Sequence, residues 1–285
     1  MDKRGNMDLS DREEIAALLS KHHLWSNKRL GQNFLVNKSV LEKIVETADL
    51  SSKDYVLEIG PGIGTLTQKL CEKARWVLGI EVDSNMIKIL KETCGSHYNL
   101  KIIQRNILAI DLSKHLSQLS SYKVVANIPY YITQPVLRNF LETQVFKPET
   151  MILMVQKEVA EKICAKKGKM SLLSISAQFY SDPEYIETVK NDSFFPIPKV
   201  DSAIIKIQNI SPKLPEVKNV DLFFQIVKAG FSQKRKKLHN SIAGNLRMDE
   251  KDVSKILKSA GIDSNRRAEA LSLKEWEKVY KKWKV

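Results

Sequence analysis

The chain has 285 residues, with 46 Lys plus Arg against 33 Asp plus Glu, a net charge of +13 and a pI near 9.5. Hydrophobic residues at 43% and charged residues at 28% exclude wholesale disorder, and the length suits one large domain with a small companion. No apolar run approaches the ~18 residues of a membrane-spanning helix, and the first 25 residues carry several acids but no apolar stretch of the secretory type. Cys71, Cys94 and Cys164 are odd in number and fit no zinc spacing. They argue against a disulfide framework and a metal site, and a reducing, cytoplasmic setting is expected. The positive excess favours an acidic partner, of which nucleic acid is the commonest.

Taken in chain order, residues 11–20 predict a short amphipathic helix with an acidic first turn. KRLGQNFLVN reads as a loop, and SVLEKIVETADL as a helix capped near Asn37 or Ser39. Then apolar strands alternate with helices: YVLEIG, GIGTLTQKLCEKA, WVLGIEVD, MIKILKETC, LKIIQRN, YKVVANI and TMILMVQ. That alternation predicts an α/β domain around a parallel sheet of right-handed βαβ units. PEYIETV and SAIIKIQNI predict a last strand pair with one antiparallel edge strand. SPKLPEVKNV, with Pro212 and Pro215, is the linker candidate, and the pattern after it is helical only. The expected organisation is an N-terminal extension over 1–27, an α/β domain over 28–210 and a helical domain over 211–285.

Residues 221–285 hold 16 Lys plus Arg and eight Asp plus Glu, so +8 of the +13 lies in less than a quarter of the chain. The densest run is Lys234, Arg235, Lys236 and Lys237. It fits either a solvated helix end that offsets a helix dipole or a polyanion contact, and the second is the expectation carried forward.

The first strand of the sheet runs into Glu58-Ile-Gly60-Pro-Gly62-Ile-Gly64. Glycines there let the backbone turn tightly and approach a ligand. A dinucleotide loop would want Gly or Ala where Thr65 stands, whereas E-x-G-x-G-x-G resembles the S-adenosylmethionine loop of class I methyltransferases. Glu81, at the end of the second strand, is placed to accept ribose hydroxyls of either cofactor. The strand YKVVANI ends in Asn127-Ile128-Pro129-Tyr130. Alone this is a plausible turn; after such a loop it resembles the N-[LI]-P-Y signature of adenine N6-methyltransferases. An amide oxygen and a main-chain carbonyl that accept both N6 protons would aim the nitrogen lone pair at a methyl donor. The Tyr130 ring would stack on the base.

Together with FFPIPKVDSAI, FSQKRKKLHNSI and GIDSNRRAEALS, these motifs occur in an order that resembles the small-subunit ribosomal RNA adenine N6,N6-dimethyltransferases over residues 28–276. The resemblance implies a Rossmann-like class I methyltransferase domain with a mostly parallel seven-stranded sheet and a small all-helical C-terminal domain. It implies dimethylation of two adjacent adenosines near the 3′ end of small-subunit rRNA, within an immature subunit, by a cytoplasmic monomer. By the same resemblance Gln32, Asn33, Leu35, Gly60, Gly62, Glu81, Asn106 and Asn127 would hold S-adenosylmethionine. Asn127, Tyr130 and Phe194 would act on the flipped adenine, and Lys234, Arg235, Lys236 and Lys237 would bind RNA. Asn106 replaces the family's usual Asp; its amide oxygen can still accept a bond from the cofactor's adenine, so similar or weaker binding is expected. Of the aromatic pair Phe194-Phe195, Phe195 is the expected core member. The alternatives are a large-subunit adenine N6-methyltransferase of the antibiotic-resistance type, an inactive RNA-binding assembly or transcription factor, and a dinucleotide-dependent oxidoreductase.

Overall fold

In the computed structural model, residues 8–24 and 31–283 are described. Lys28, Arg29 and Leu30 of the KRLGQNFLVN motif therefore lie outside the described residues. The first half of the chain runs α1 (Arg12–Lys21), β1 (Phe34–Leu35), α2 (Lys38–Ala48), β2 (Tyr55–Ile59), α3 (Thr65–Lys73), β3 (Trp76–Glu81), α4 (Ser84–Thr93), β4 (Leu100–Gln104), α5 (Ser113–Leu116) and β5 (Lys123–Asn127). It continues with α6 (Thr133–Arg138), β6 (Thr150–Gln156), α7 (Lys157–Ile163), α8 (Leu172–Tyr180), β7 (Asp182–Val189), β8 (Phe194–Phe195) and β9 (Ser202–Gln208). Four helices close the chain: α9 (Val220–Phe231), α10 (Leu238–Leu246), α11 (Glu250–Ser259) and α12 (Leu273–Trp283).

Seven strands form one sheet in the order β4-β3-β2-β5-β6-β9-β7. β4, β3, β2, β5 and β6 are parallel, and β9 runs antiparallel to β6 from Thr150↔Gln208 to Gln156↔Ser202. The antiparallel strand is thus inside the sheet rather than at its edge, which β7 occupies. β2 is followed by strands on one side, β5 by strands on the other. The chain therefore changes direction between them, and a crevice opens beyond their C-terminal ends. The middles of the central strands are apolar because helices cover both faces; Glu58 in β2 is the exception.

Contacts divide the chain into two units: 1–160 with 184–210, and 161–183 with 211–285. Residues 161–183, assigned above to the α/β domain, pack instead with the helical unit. Met170, Ile175 and Phe179 are buried in one core with Phe223, Leu238, Leu257 and Trp276. No local pattern shows this, because the residues that share the core lie 44 to 106 positions apart in the chain (223 − 179 and 276 − 170). The N-terminal stretch is likewise part of the first unit. Asp11 caps α1 by accepting from Glu13 and Glu14 N–H, and Ile15, Leu18 and Leu19 pack with Phe34, Ile63, Met86 and Ile89. The Thr65 hydroxyl donates to the Leu9 carbonyl at 3.2 Å. In the helical unit Trp276 is buried, and Trp283 packs half-buried against the same core.

Candidate active site

One cavity opens at the crevice between β2 and β5. Gln32, Asn33, Leu35, Glu58, Gly60, Gly62, Glu81, Asn127, Tyr130 and Phe194 all line it, with Phe34, Ile107 and Tyr131 among others.

Its floor is the turn after β2. Gly60 and Gly62 have φ of +67° and +59°, in the left-handed region that a side chain resists. A Cβ on Gly62 would sit 3.4 Å from the Phe34 ring, so the loop is bare where it faces the cavity. The Gly60 N–H donates to the Ile80 carbonyl at 2.9 Å, which ties the turn to β3. Glu81 then crosses from β3 to the loop. Its Oε2 accepts from Gly62 N–H at 3.1 Å, and its Oε1 accepts from Val82 and Asp83 N–H at 2.8 and 2.9 Å. Burial nevertheless pushes its carboxyl above the usual range, against those three bonds. A carboxylate so fixed keeps lone pairs for a sugar diol. Gln32 donates to Asp83 Oδ2 at 2.9 Å and so braces the neighbouring acid.

Asn127 ends β5. Its Nδ2 donates to the Asn33 carbonyl at 3.2 Å, which orients the amide and leaves its oxygen as the acceptor on offer. The Ile128 N–H donates to the Met154 carbonyl, so the turn is anchored to β6. Tyr130 opens a short 3₁₀ turn, Tyr130–Ile132. Its hydroxyl lies 2.7 Å from Ser202 Oγ, and burial raises its pKa. Ser202, fully buried at the start of β9, thus fixes the ring through its polar end. The PKVDSAI segment carries part of the family resemblance, but nothing in its sequence marks Ser202.

Phe194 pairs with Leu35 and Phe195 with Phe34 in a two-stranded ribbon. Phe194 is 1% exposed and belongs to the domain core as well as the cavity wall, whereas Phe195 is only half-buried. The expected assignment of the pair is therefore reversed: Phe194 is the more deeply buried member. Asn106 departs further from expectation. It is exposed, does not line the cavity, and its Oδ1 accepts from Leu108 N–H at 2.9 Å. This Asx turn uses one lone pair of the amide oxygen and leaves the second able to accept, and Ile107 is the neighbour that lines the cavity wall.

Three features at or beside the cavity received no role from the sequence. Tyr131 is 58% exposed at the cavity rim. Glu58 is 2% exposed, with Oε2 unpartnered. The α1 helix, read as lying outside the domain, packs against Ile63 of the loop. The basic run lies between α9 and α10, with all four residues exposed; Lys237 Nζ donates to Asn265 Oδ1 at 2.8 Å. Among the described residues no group of three His, Cys, Asp or Glu side chains could hold a metal ion, and no helix is long and apolar enough to cross a membrane.

A doubly wound sheet with this glycine turn, the acid after the next strand and an N-x-P-Y turn at the switch point defines a class I methyltransferase. The chain belongs to the ribosomal RNA adenine dimethylase family, whose model matches residues 24–284. It is 44% identical to a ribosomal RNA small subunit methyltransferase A of Dehalococcoides mccartyi, over 92% of this chain and 90% of that one. A Clostridium botulinum protein of the same name is 40% identical over 92% and 95%. Among solved structures, a dimethyladenosine transferase from Plasmodium falciparum superposes with a TM-score of 0.71 at 28% identity, covering 86% of this chain and 95% of that one. The 23S rRNA methyltransferase ErmE superposes with 0.70 at 27% identity, covering 89% and 100%. The chain is thus an rRNA adenine dimethyltransferase, and its family and fold imply S-adenosylmethionine as the methyl donor.

The residues present fit that cofactor. The glycine turn is free of side chains where it meets the cavity, Glu81 supplies a fixed carboxylate, and Glu58 leaves a buried oxygen without a partner.

Proposed function

We propose that the protein dimethylates N6 of two adjacent adenosines near the 3′ end of small-subunit rRNA, acting as a cytoplasmic monomer on an immature ribosomal subunit. The observation that carries the choice of subunit is the 44% identity, over nine-tenths of both chains, to proteins named for the small subunit. The 23S enzyme shares the fold at only 27% identity. Its similar TM-score favours neither subunit.

In this reading Gly60 and Gly62 seat the cofactor, Glu81 holds its ribose, and Gln32, Asn33 and Leu35 close the pocket. When bound, S-adenosylmethionine supplies a methyl group on a positively charged sulfur. The target adenine leaves its stack and enters between Tyr130 and Phe194. The N6 lone pair is delocalised into the ring, so the amine is a poor nucleophile. Asn127 Oδ1 and a main-chain carbonyl of the NIPY turn accept its two protons, which draws the nitrogen toward tetrahedral geometry. The π face of Tyr130 favours the positive charge that develops on the base. No strong general base is required, because the proton becomes acidic once the nitrogen is methylated. After the first transfer a single N–H remains, so the second methylation relies on one acceptor.

The basic run supports docking to a polyanion. Lys234, Arg235, Lys236 and Lys237 immediately precede α10, and Lys237 is its N-cap. At the N-terminus of α10 positive charge works against the helix dipole, so offsetting that dipole does not account for Lys236 and Lys237, although Lys234 lies just past the C-terminus of α9. Phosphates would relieve that repulsion. The test is to incubate small subunits lacking these methyl groups with protein and S-adenosylmethionine, digest the RNA and read nucleosides by mass spectrometry. Two dimethyladenosines in one fragment are expected; monomethyladenosine alone, or none, would refute the reading.

A further inference from the structure

Glu58 stands in the middle strand of the sheet, 2% exposed, and lines the cofactor cavity. Its Oε2 has no hydrogen-bond partner, and neither does the nearby buried Thr67 Oγ1. A carboxylate in such a place is costly unless something compensates its charge. From β3 it meets Glu81, a second acid. From α3 it meets Thr67 and Cys71, and at the end of α4 Cys94. Burial holds both thiols up at about 12, so they are neutral. Among the described residues no cation pairs with Glu58. Burial first, and the Glu81 charge in addition, push its carboxyl up to about 8.

We propose that Glu58 reads the charge of the cofactor: it is a neutral acid in the free protein and ionises when a cationic S-adenosyl ligand enters, so that the site discriminates S-adenosylmethionine from its neutral product. The step is a proton transfer only. The Glu58 O–H bond breaks, the proton passes to solvent, both electrons stay on the carboxylate, and no bond to the ligand forms. S-adenosylhomocysteine lacks the sulfonium charge, so it compensates Glu58 less and releases less of a proton. Glu81 does not take this role, because its oxygens are already fixed by three backbone N–H groups. The consequence is product release: after methyl transfer the ligand loses its positive charge, Glu58 regains its proton, and the site loosens its hold. The proposal rests on the cofactor reading above.

The linkage fixes the sign. A ligand that releases a proton binds more tightly as pH rises toward the free group's pKa, by up to about tenfold per unit. The test is titration calorimetry near pH 7 in phosphate and in Tris buffer, whose different ionisation enthalpies report protons released. The wild type should release roughly half a proton to one proton more with S-adenosylmethionine than with S-adenosylhomocysteine. Glu58→Gln, which keeps the shape and removes the ionisation, should abolish that difference. It should also lower the preference for S-adenosylmethionine several-fold and leave S-adenosylhomocysteine affinity within about twofold. Equal proton release by both ligands in the wild type overturns the proposal without any variant, so a misfolded Glu58→Gln would not shield it. Binding of neither ligand would overturn the cofactor reading along with it.

Discussion

Asn127 and Asn33 lie 94 residues apart in the chain, yet the side-chain amide of one donates to the carbonyl of the other at 3.2 Å. This bond joins the NIPY turn to the GQNF segment and settles which atom of Asn127 is left to accept. In the proposed function, the segment that closes over the cofactor therefore also orients the amide that would meet the target base.

Replacing Asn127 by Ala should consequently lower the rate of methyl transfer by about two to three orders of magnitude, as loss of one fixed polar group at a reacting centre does elsewhere. The side chain is only half-buried, so the melting temperature should change little. S-adenosylmethionine affinity should fall by less than the rate. Single-turnover transfer to RNA and equilibrium binding of the cofactor, measured side by side, check the separation.

The glycine turn predicts an order of stability. At Gly64, φ is +96° and a Cβ would stand 2.5 Å from Cys94 Sγ and 3.0 Å from Thr93 Oγ1, inside a buried contact. At Gly60, φ is +67° but the nearest atom, on Pro129, is 4.0 Å away. Gly60→Ala should cost about 1 kcal/mol for the left-handed backbone, and Gly64→Ala a further 1–3 kcal/mol, roughly, for overpacking. Gly60→Ala should weaken cofactor binding beyond its effect on stability. Thermal unfolding with and without S-adenosylmethionine resolves the two effects.

Acid should loosen the helical unit through Glu275. Arg266 donates to both of its oxygens, at 2.7 and 3.3 Å; with Ser272 N–H and Lys167 also bonded, its carboxyl is held down at about 2. A folded pKa below the unfolded value means that the stabilisation is complete above about pH 4.5 and is lost as pH falls from there toward 2. Its size is about 2–3 kcal/mol at most. Glu275→Gln should lower stability near neutrality and flatten the acid limb; urea unfolding at several pH values between about 3 and 7 measures both.

Much of this architecture could be read along the chain. Continuous apolar runs such as TMILMVQ mark strands buried on both faces, and Asn37 caps α2 as its side chain predicts, accepting from Val40 N–H at 3.2 Å. The residues of the cavity floor are legible because glycines at positive φ and an acid after the next strand are local requirements. What escaped depends on distance in sequence. The β1–β8 ribbon joins two-residue strands about 160 positions apart, and only that pairing makes Phe194, rather than Phe195, the buried member. Residues 161–183 joined the helical unit through contacts no local pattern encodes. Asn106 matches a motif position, and the local bond from Leu108 N–H to its oxygen is a turn that the motif does not reveal.

Changing Lys234, Arg235, Lys236 and Lys237 together to Gln should weaken binding to the small subunit and reduce the slope of log affinity against log salt by about two to three. Lys237 also bonds Asn265, so part of its effect is on the loop itself. S-adenosylmethionine affinity should be nearly unchanged. A collapse of cofactor binding would mean that the run holds the fold instead of the RNA.

The most direct test of the whole account is transfer of a tritiated methyl group from S-adenosylmethionine, with purified small and large ribosomal subunits that lack their own adenine methylations offered in parallel. The account predicts label in small-subunit RNA, lost with Asn127→Ala. Label in the large subunit alone would contradict it.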